Sequence, residues 1–90
     1  MKLTYQKPVL DLTATGEKIK SLMKLRGISP RKLQIIFEFP YVQTIYNWFS
    51  GKNMPSIDNL IVLSEILEVP INDLIVTYTV EIELDSPISA

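Results

Sequence analysis

The sequence predicts an all-α fold, a compact bundle of five short helices followed by a short C-terminal β-strand. Between Gly16 and Val76, apolar residues recur at helical spacing, and glycine or proline interrupts the recurrence at intervals that suit short helices. From Thr77 to Asp85, apolar and polar residues alternate strictly, which is the period of a half-buried strand.

The chain has 90 residues, 47% of them hydrophobic, which is enough for one domain with a modest core. We expect three parts. Residues 1–15 form an N-terminal arm, for which an extended conformation is one option. Residues 16–76 form the helical domain, and residues 77–90 form a C-terminal strand and tail.

The first helix should span about Gly16 to Arg26, because Gly27 favours a helix end. A second helix should begin at Ser29-Pro30, since serine can cap free backbone N–H groups and proline in the first turn loses no hydrogen bond. Pro40 disfavours helical geometry at the residue before it, so the second helix should end just ahead of that point.

The third helix should span about Tyr41 to Ser50, with Gly51 ending it. Projected at 100° per residue, its apolar side chains share one face, which Trp48 flanks: Val42, Ile45, Tyr46 and Phe49. The opposite face is polar and comprises Gln43, Thr44, Asn47 and Ser50.

The fourth helix should begin at Ser56 and is apolar around more than half of its circumference. It is therefore either the central element of the bundle or has a second buried face against a partner. A short fifth helix, Ile71 to Ile75, should close the core. The strand after it needs a partner, which is either residues 2–7 or the same strand of a second subunit.

The composition argues for a binding protein rather than an enzyme. The chain has neither cysteine nor histidine, so it lacks the usual nucleophile–base pairs and the usual zinc ligands. Glu65, Glu68 and Asp73 are the nearest group of carboxylates, and solvated acids on an amphipathic helix are the ordinary explanation for them. We expect no catalytic residue, no metal and no cofactor.

The polar face of the third helix carries side chains that can recognise bases. Gln43 and Asn47 each present a donor and an acceptor spaced to contact the N6 and N7 edge of adenine in the major groove, and Thr44 can contact thymine. Any exposed helix face is polar, however, so this pattern becomes persuasive only together with the charge distribution.

The charge is divided between the two halves of the chain. Residues 1–52 hold nine lysines and arginines against three acids (+6), whereas residues 53–90 hold no base and seven acids (−7). The basic half can face a phosphate backbone, and we expect phosphate contacts from Arg31, Lys32, Tyr41, Ser50 and Lys52. For the bases of the first helix, Lys18, Lys20, Lys24 and Arg26, simple solubility is an equally good explanation.

Residues 16–76 resemble the XRE family, the Cro- and phage-repressor-like helix-turn-helix regulators of bacteria and their phages. Five segments in order carry the resemblance: 16–20 (GEKIK), 25–29 (LRGIS), 45–52 (IYNWFSGK), 55–60 (PSIDNL) and 67–75 (LEVPINDLI). The resemblance implies a compact five-helix repressor-like bundle whose third helix, the reading helix, enters the major groove. By position, Gln43, Thr44 and Asn47 match the family's base-contacting residues.

The chain departs from the family pattern at four places. Pro30 stands where a phosphate-holding glutamine is usual, Gln34 where alanine is usual, and Phe49 where glutamate is usual. The turn between the second and third helices lacks its usual glycine and is one residue longer. Because the reading helix contains no arginine or lysine, we expect weak binding or an A·T-rich site.

The leading function is sequence-specific binding of double-stranded DNA by a small transcriptional regulator, with repression favoured. The alternatives are the antitoxin of a toxin–antitoxin pair, and a protein-interaction module that has lost DNA binding. A homodimer is expected because two reading helices reach successive turns of the duplex, and a protein partner could bind the acidic half. The N-terminus lacks an apolar signal segment and no apolar run approaches the ~20 residues of a membrane span, which favours the cytoplasm.

Overall fold

A computed structural model describes residues 3–84 of the chain, as four α-helices and one antiparallel sheet of two strands. The elements in order are β1 (Leu3–Leu10), α1 (Leu12–Arg26), α2 (Pro30–Phe37), α3 (Gln43–Ser50), α4 (Ile57–Leu67), a single 3-10 turn (Ile71–Asp73) and β2 (Thr77–Leu84). None of these helices is long and apolar enough to cross a lipid bilayer.

The prediction of an all-α bundle of five helices is therefore wrong, and the domain is a small mixed α/β structure. The expected fifth helix is only one 3-10 turn, closed by bonds from Asp73 N to Pro70 O and from Leu74 N to Ile71 O, each of 2.9 Å. The turn does not extend further because Val76, two residues after Leu74, is hydrogen-bonded to Asp11 and Thr15 just before β2 begins at Thr77. The N-terminal segment, expected only to be an arm, forms a strand of eight residues.

The two strands form an antiparallel ribbon, called here the β-ribbon, with a register running from Leu3 opposite Leu84 to Leu10 opposite Thr77. Of the two partners considered for the C-terminal strand, the structure therefore has the N-terminal segment of the same chain. Lys2 and Asp85, which the sequence analysis included in these segments, lie outside the described residues.

The register gives the β-ribbon one apolar face and one polar face, because residues directly opposite each other share a face. The pairs on the apolar face are Leu3 with Leu84, Tyr5 with Ile82, Val9 with Tyr78, and Lys7, its one charge, with Val80. The polar face includes the pairs of Thr4 with Glu83 and Gln6 with Glu81. The helices do not cover the apolar face, where Tyr5 is 53% and Tyr78 51% exposed.

The β-ribbon is attached to the start of α1 by three hydrogen bonds to one residue. The backbone N–H of Asp11 donates to Val76 O at 2.9 Å, and the buried Thr15 hydroxyl accepts from Val76 N at 2.9 Å and donates to Val76 O at 3.3 Å. Asp11 also caps α1 by accepting from Ala14 N. The helix consequently begins at Leu12, four residues before the predicted start.

Most other predicted helix ends are confirmed. Ser29 caps α2 and Ser56 caps α4, each accepting a backbone N–H three residues later. Gly27 and Gly51 adopt left-handed conformations directly after α1 and α3. These signals are local, so they could be recognised without knowledge of the tertiary structure.

The core forms where all four helices and the 3-10 turn meet. Its buried apolar residues are Ile19, Met23, Leu33, Ile45, Trp48, Leu60, Leu63, Leu67 and Leu74. The predicted apolar face of α3 was rotated away from the true one: Trp48 is only 3% exposed, whereas Tyr46 is 47% exposed. The reason is that α1 and α2 pack on α3 from the side of Ile45 and Trp48.

The backbones of α1 and α3 come into direct contact at Gly16. A Cβ atom at this position would lie 2.0 Å from the carbonyl oxygen of Trp48 and 2.7 Å from that of Phe49. Gly51 makes a similar approach, since its Cβ would lie 2.9 Å from the Cα atom of Thr13. No side chain fits between the first half of α1 and the end of α3, which fixes how these two helices pack.

We predict that Gly16→Ala lowers the free energy of unfolding by about 3 kcal/mol or more, because the clash is with backbone that cannot rotate away. The measurement is urea denaturation followed by circular dichroism. Gly27→Ala is the control for a glycine without a clash: Gly27 has a positive φ of 68°, which Gly16 lacks, but open space around it, so it should lose only about 1 kcal/mol. Equal losses in the two variants would contradict the proposed packing.

Candidate nucleic-acid interface

The turn between α2 and α3 begins with a non-glycine residue in the left-handed conformation. Glu38 has φ 56° and ψ 36°, the geometry for which glycine is usually selected after a helix. The N–H of Phe39 donates to Gln34 O at 3.0 Å, so the helix end is closed in the usual way despite the missing glycine. Glu38 therefore takes the place of the turn glycine that the family pattern led us to seek.

Gln34 contributes its side chain to the same turn. Its amide nitrogen Nε2 donates to the carbonyl oxygen of Phe39 at 3.2 Å. The backbone carbonyl and the side-chain amide of Gln34 thus both contact Phe39. This is a structural use for the glutamine that stands where the family usually has alanine.

Three aromatic rings, called here the aromatic cluster, connect α2, the turn and α3. The rings of Phe37 and Phe39 stack with centroids 5.2 Å apart, and both meet Trp48 edge-on at 5.8 and 5.7 Å. Stacked and edge-to-face pairs at these distances stabilise beyond their buried area. The cluster therefore holds α3 against α2 from the buried side and leaves its opposite side free.

The reading helix begins at Gln43, two residues after the predicted start at Tyr41. Val42 occupies the N-cap position without a side-chain cap, because its aliphatic side chain has no acceptor. Tyr41 precedes the helix and is largely exposed. Its hydroxyl is therefore presented from the turn, not from the first turn of the helix.

The structure brings two of the three predicted base-contacting residues together. Gln43 Nε2 donates to Asn47 Oδ1 at 3.0 Å, a contact between successive turns of α3. Gln43 is exposed, and Thr44 and Asn47 are half-buried on the same outward face. Within residues 3–84, the Oε1 acceptor of Gln43 and the Nδ2 donors of Asn47 have no partner, so both a donor and an acceptor remain on this face.

The predicted phosphate-contacting residues are exposed at the ends of the two helices. Arg31 and Lys32 lie in the first turn of α2, and Lys52 follows α3. Ser50 differs, because its hydroxyl donates to the carbonyl oxygen of Asn47 at 3.2 Å. Its oxygen can accept, but its proton already has an acceptor within α3.

Two contacts beside α3 were missed by the sequence analysis. The ammonium group of Lys20 lies 5.9 Å from the centroid of the Phe49 ring, and the Tyr46 ring meets Phe49 edge-on at 5.9 Å. The sequence analysis placed Tyr46 on the apolar face and assigned Lys20 no contact. The four-residue spacing of Lys20 and Lys24 on α1 was the only sequence signal of these contacts, since it places both lysines on the same face of that helix.

Arg26 is engaged away from α3. Its Nη1 atom lies 3.0 Å from Oε2 of Glu68, which ends α4 in a left-handed conformation. An exposed pair of this kind contributes roughly 0.2–1 kcal/mol. It links the basic half of the chain to the acidic half.

Comparison with known proteins found one similarity, to a family of helix-turn-helix domains. Residues 42–74 match the model of a family described as helix-turn-helix, which confirms the resemblance to XRE-type regulators over α3, α4 and the 3-10 turn. This segment is similar to the DNA-binding domains of helix-turn-helix regulators. No curated protein and no solved structure matches the chain significantly.

We predict that Glu38→Gly stabilises the domain by about 0.5–1 kcal/mol. A non-glycine residue in the left-handed region costs about 1–2 kcal/mol, and the greater freedom of glycine in the unfolded chain offsets part of the relief. Urea denaturation measures the change. Glu38→Gln, which removes the charge but keeps the side chain, should stay within about 0.5 kcal/mol of the parent; an equal gain there would mean that charge, not backbone strain, is responsible.

Proposed function

We propose that the protein is a small transcriptional regulator, a repressor, that reads double-stranded DNA by placing α3 in the major groove. The observation that carries this proposal is the hydrogen-bonded pair of Gln43 and Asn47 on the outward face of α3, within the segment that matches the helix-turn-helix family. Such a protein acts where DNA is found, so we place it in the cytoplasm.

The paired amides suit adenine. Its major-groove edge offers the N6 amino group as a donor and N7 as an acceptor. Gln43 Oε1 can accept from the first and Asn47 Nδ2 can donate to the second, so the pair acts as one recognition unit. Thr44 contributes a methyl group for thymine. The absence of arginine from α3 supports an A·T-rich site.

The phosphate contacts come from exposed residues on both sides of that face. Arg31 and Lys32 contact the backbone at the start of α2, and Lys52 contacts it after α3. Tyr41 donates its hydroxyl from the turn, and Ser50 contributes by rotating its hydroxyl away from Asn47 O. The acidic second half of the chain is repelled by DNA and faces away from it.

We propose that the protein binds DNA as a homodimer in which the apolar faces of two β-ribbons pack together. An isolated two-stranded sheet is marginally stable, and the apolar face of this one is uncovered. Face-to-face packing keeps the acidic residues apart, because Glu81 and Glu83 lie on the polar face, where Gln6 Nε2 donates to Glu81 Oε1 at 3.1 Å. A twofold dimer then presents two reading helices, which at about 34 Å apart contact successive turns of the duplex.

A second candidate function rests on the outer face of α4. Ile57 and Ile61 lie one turn apart and are 71% and 52% exposed, with Asp58 and Glu65 exposed on the same helix. An apolar stripe bordered by acids fits a basic amphipathic partner. This face supports the two alternative functions, an antitoxin and an interaction module without DNA binding, in which it binds a partner protein.

The test is an amide-resolved NMR titration of the full chain with a mixed-sequence duplex at low and then raised salt. We expect shifts centred on Arg31, Gln43, Thr44, Asn47 and Lys52 that vanish as salt rises. For each phosphate contact, the logarithm of the affinity should fall by roughly 0.9 for each tenfold rise in salt concentration. An unperturbed spectrum would reject DNA binding and direct attention to the face of α4.

We predict that Asn47→Ala weakens binding to a site selected from a random pool by roughly 5- to 150-fold, the range of one good base contact. Fluorescence anisotropy with a labelled duplex measures this change. Asn72→Ala is the matched control, since Asn72 is an exposed asparagine on the 3-10 turn, outside the interface. Selection of G·C-rich sites, or equal losses in both variants, would contradict adenine recognition.

We predict that Tyr78→Glu converts the dimer to a monomer in sedimentation equilibrium, because it replaces a large apolar side chain of the packed face with a carboxylate. Thr79→Glu is the control: it lies one residue along the same strand but on the polar face, opposite Pro8. Dimers that persist in Tyr78→Glu, or dissociate only in Thr79→Glu, would rule out this interface.

A further inference from the structure

A shallow groove of about 200 Å³ lies between α1, the start of α2 and α3. Most of its lining is apolar or aromatic, from Met23, Ile28, Pro30, Tyr46 and Phe49. Two lysines of α1, Lys20 and Lys24, complete the lining. We call this site the α1–α3 groove.

The two positive charges on the rim of this groove have no carboxylate partner in the described residues, and the Lys20 ammonium group has only the Phe49 ring, 5.9 Å away, beside it. Lys20 and Lys24 are four residues apart on α1, so their ammonium groups share one face and repel each other. No carboxylate lines the groove, and within residues 3–84 neither lysine forms an ion pair. Arg26, on the same helix, is already paired with Glu68. A bound anion would relieve the repulsion between the two lysines.

The rest of the groove lining offers a different kind of contact. Its aromatic and aliphatic side chains have no hydrogen-bonding groups apart from the Tyr46 hydroxyl, so they match an apolar body rather than a second polar group. Sites that orient small ligands commonly combine an apolar lining with a few convergent polar groups. A DNA phosphate would use only the rim, whereas an amphiphilic anion uses both parts.

We infer that the α1–α3 groove binds a small amphiphilic carboxylate, with its apolar body on Met23, Ile28 and Phe49 and its carboxylate between Lys20 and Lys24. An aryl-substituted short-chain acid matches this combination of an apolar lining and two ammonium groups. Because the groove is shallow and half open, we expect a Kd on the order of 1 mM for a generic member of this class.

Binding should also affect DNA recognition, a consequence that rests on the proposed function. Tyr46 and Phe49 belong to α3, and Tyr46 directly precedes Asn47 in the chain. A carboxylate on the rim neutralises positive charge beside the reading helix, so the ligand should weaken DNA binding by about two- to fivefold. The groove would then be an effector site.

The experiment is an NMR titration of the full chain with 4-phenylbutyrate in the absence of DNA. We expect saturable shifts of the signals from Met23, Ile28 and Phe49. Two control compounds separate the contributions: 4-phenyl-1-butanol lacks the charge, and butyrate lacks the aromatic body. Both should bind at least about threefold more weakly than 4-phenylbutyrate.

Variants locate the site. The double substitution Lys20→Gln/Lys24→Gln should weaken 4-phenylbutyrate binding by about 4- to 25-fold, at two- to fivefold for each exposed charge. Lys18→Gln is the matched control, because Lys18 is an exposed lysine of α1 that does not line the groove. Tyr46→Ala removes part of the aromatic lining and should weaken binding of the acid and of the alcohol alike.

Three results would overturn the inference: no saturable shift up to 20 mM ligand, equal affinity for the acid and the alcohol, or an equal effect of Lys18→Gln and the double variant. Because the titration contains no DNA, its outcome is independent of the proposed function. If the double variant lowers only DNA affinity and 4-phenylbutyrate does not bind, the two lysines contact the DNA backbone and the groove is not an effector site.

Discussion

The contact between the backbones of α1 and α3 at Gly16 is the constraint on which the other parts of the structure depend. Since no side chain fits between the two helices there, the end of α3 lies directly on the first half of α1. This contact buries Ile45 and Trp48 and turns Gln43 and Asn47 outward. The same arrangement brings Lys20 beside Phe49, so the α1–α3 groove follows from it as well.

The aromatic cluster and the turn at Glu38 fix the other side of α3. Phe37 and Phe39 hold Trp48 from α2 and the turn, and Gln34 bonds to Phe39 twice. The helix pair therefore keeps a defined geometry although the turn lacks the usual glycine. A rigid scaffold of this kind suits base recognition, because side chains on helices are positioned more precisely than those on loops.

Much of the local structure could be predicted from the sequence, because its signals involve neighbouring residues. The caps at Ser29 and Ser56 and the ends at Gly27 and Gly51 are such signals, and so is the alternation from Thr77 onward. The sequence also suggested the candidate base-contacting residues, because a helical projection places Gln43 and Asn47 on one side of α3. Their mutual hydrogen bond needed side-chain conformations that a projection does not contain.

By itself, the sequence determined the four helices, the C-terminal strand and the polar character of the outward face of α3, because periodicity and capping act over a few residues. The tertiary structure alone decided which strand pairs with β2, since 75 residues separate Gln6 from Glu81 and no local pattern links them. It also decided that Trp48 is buried and Tyr46 exposed, and that Lys20 and Lys24 border a groove. These features depend on which helices meet, and that is set by contacts between residues far apart in the chain.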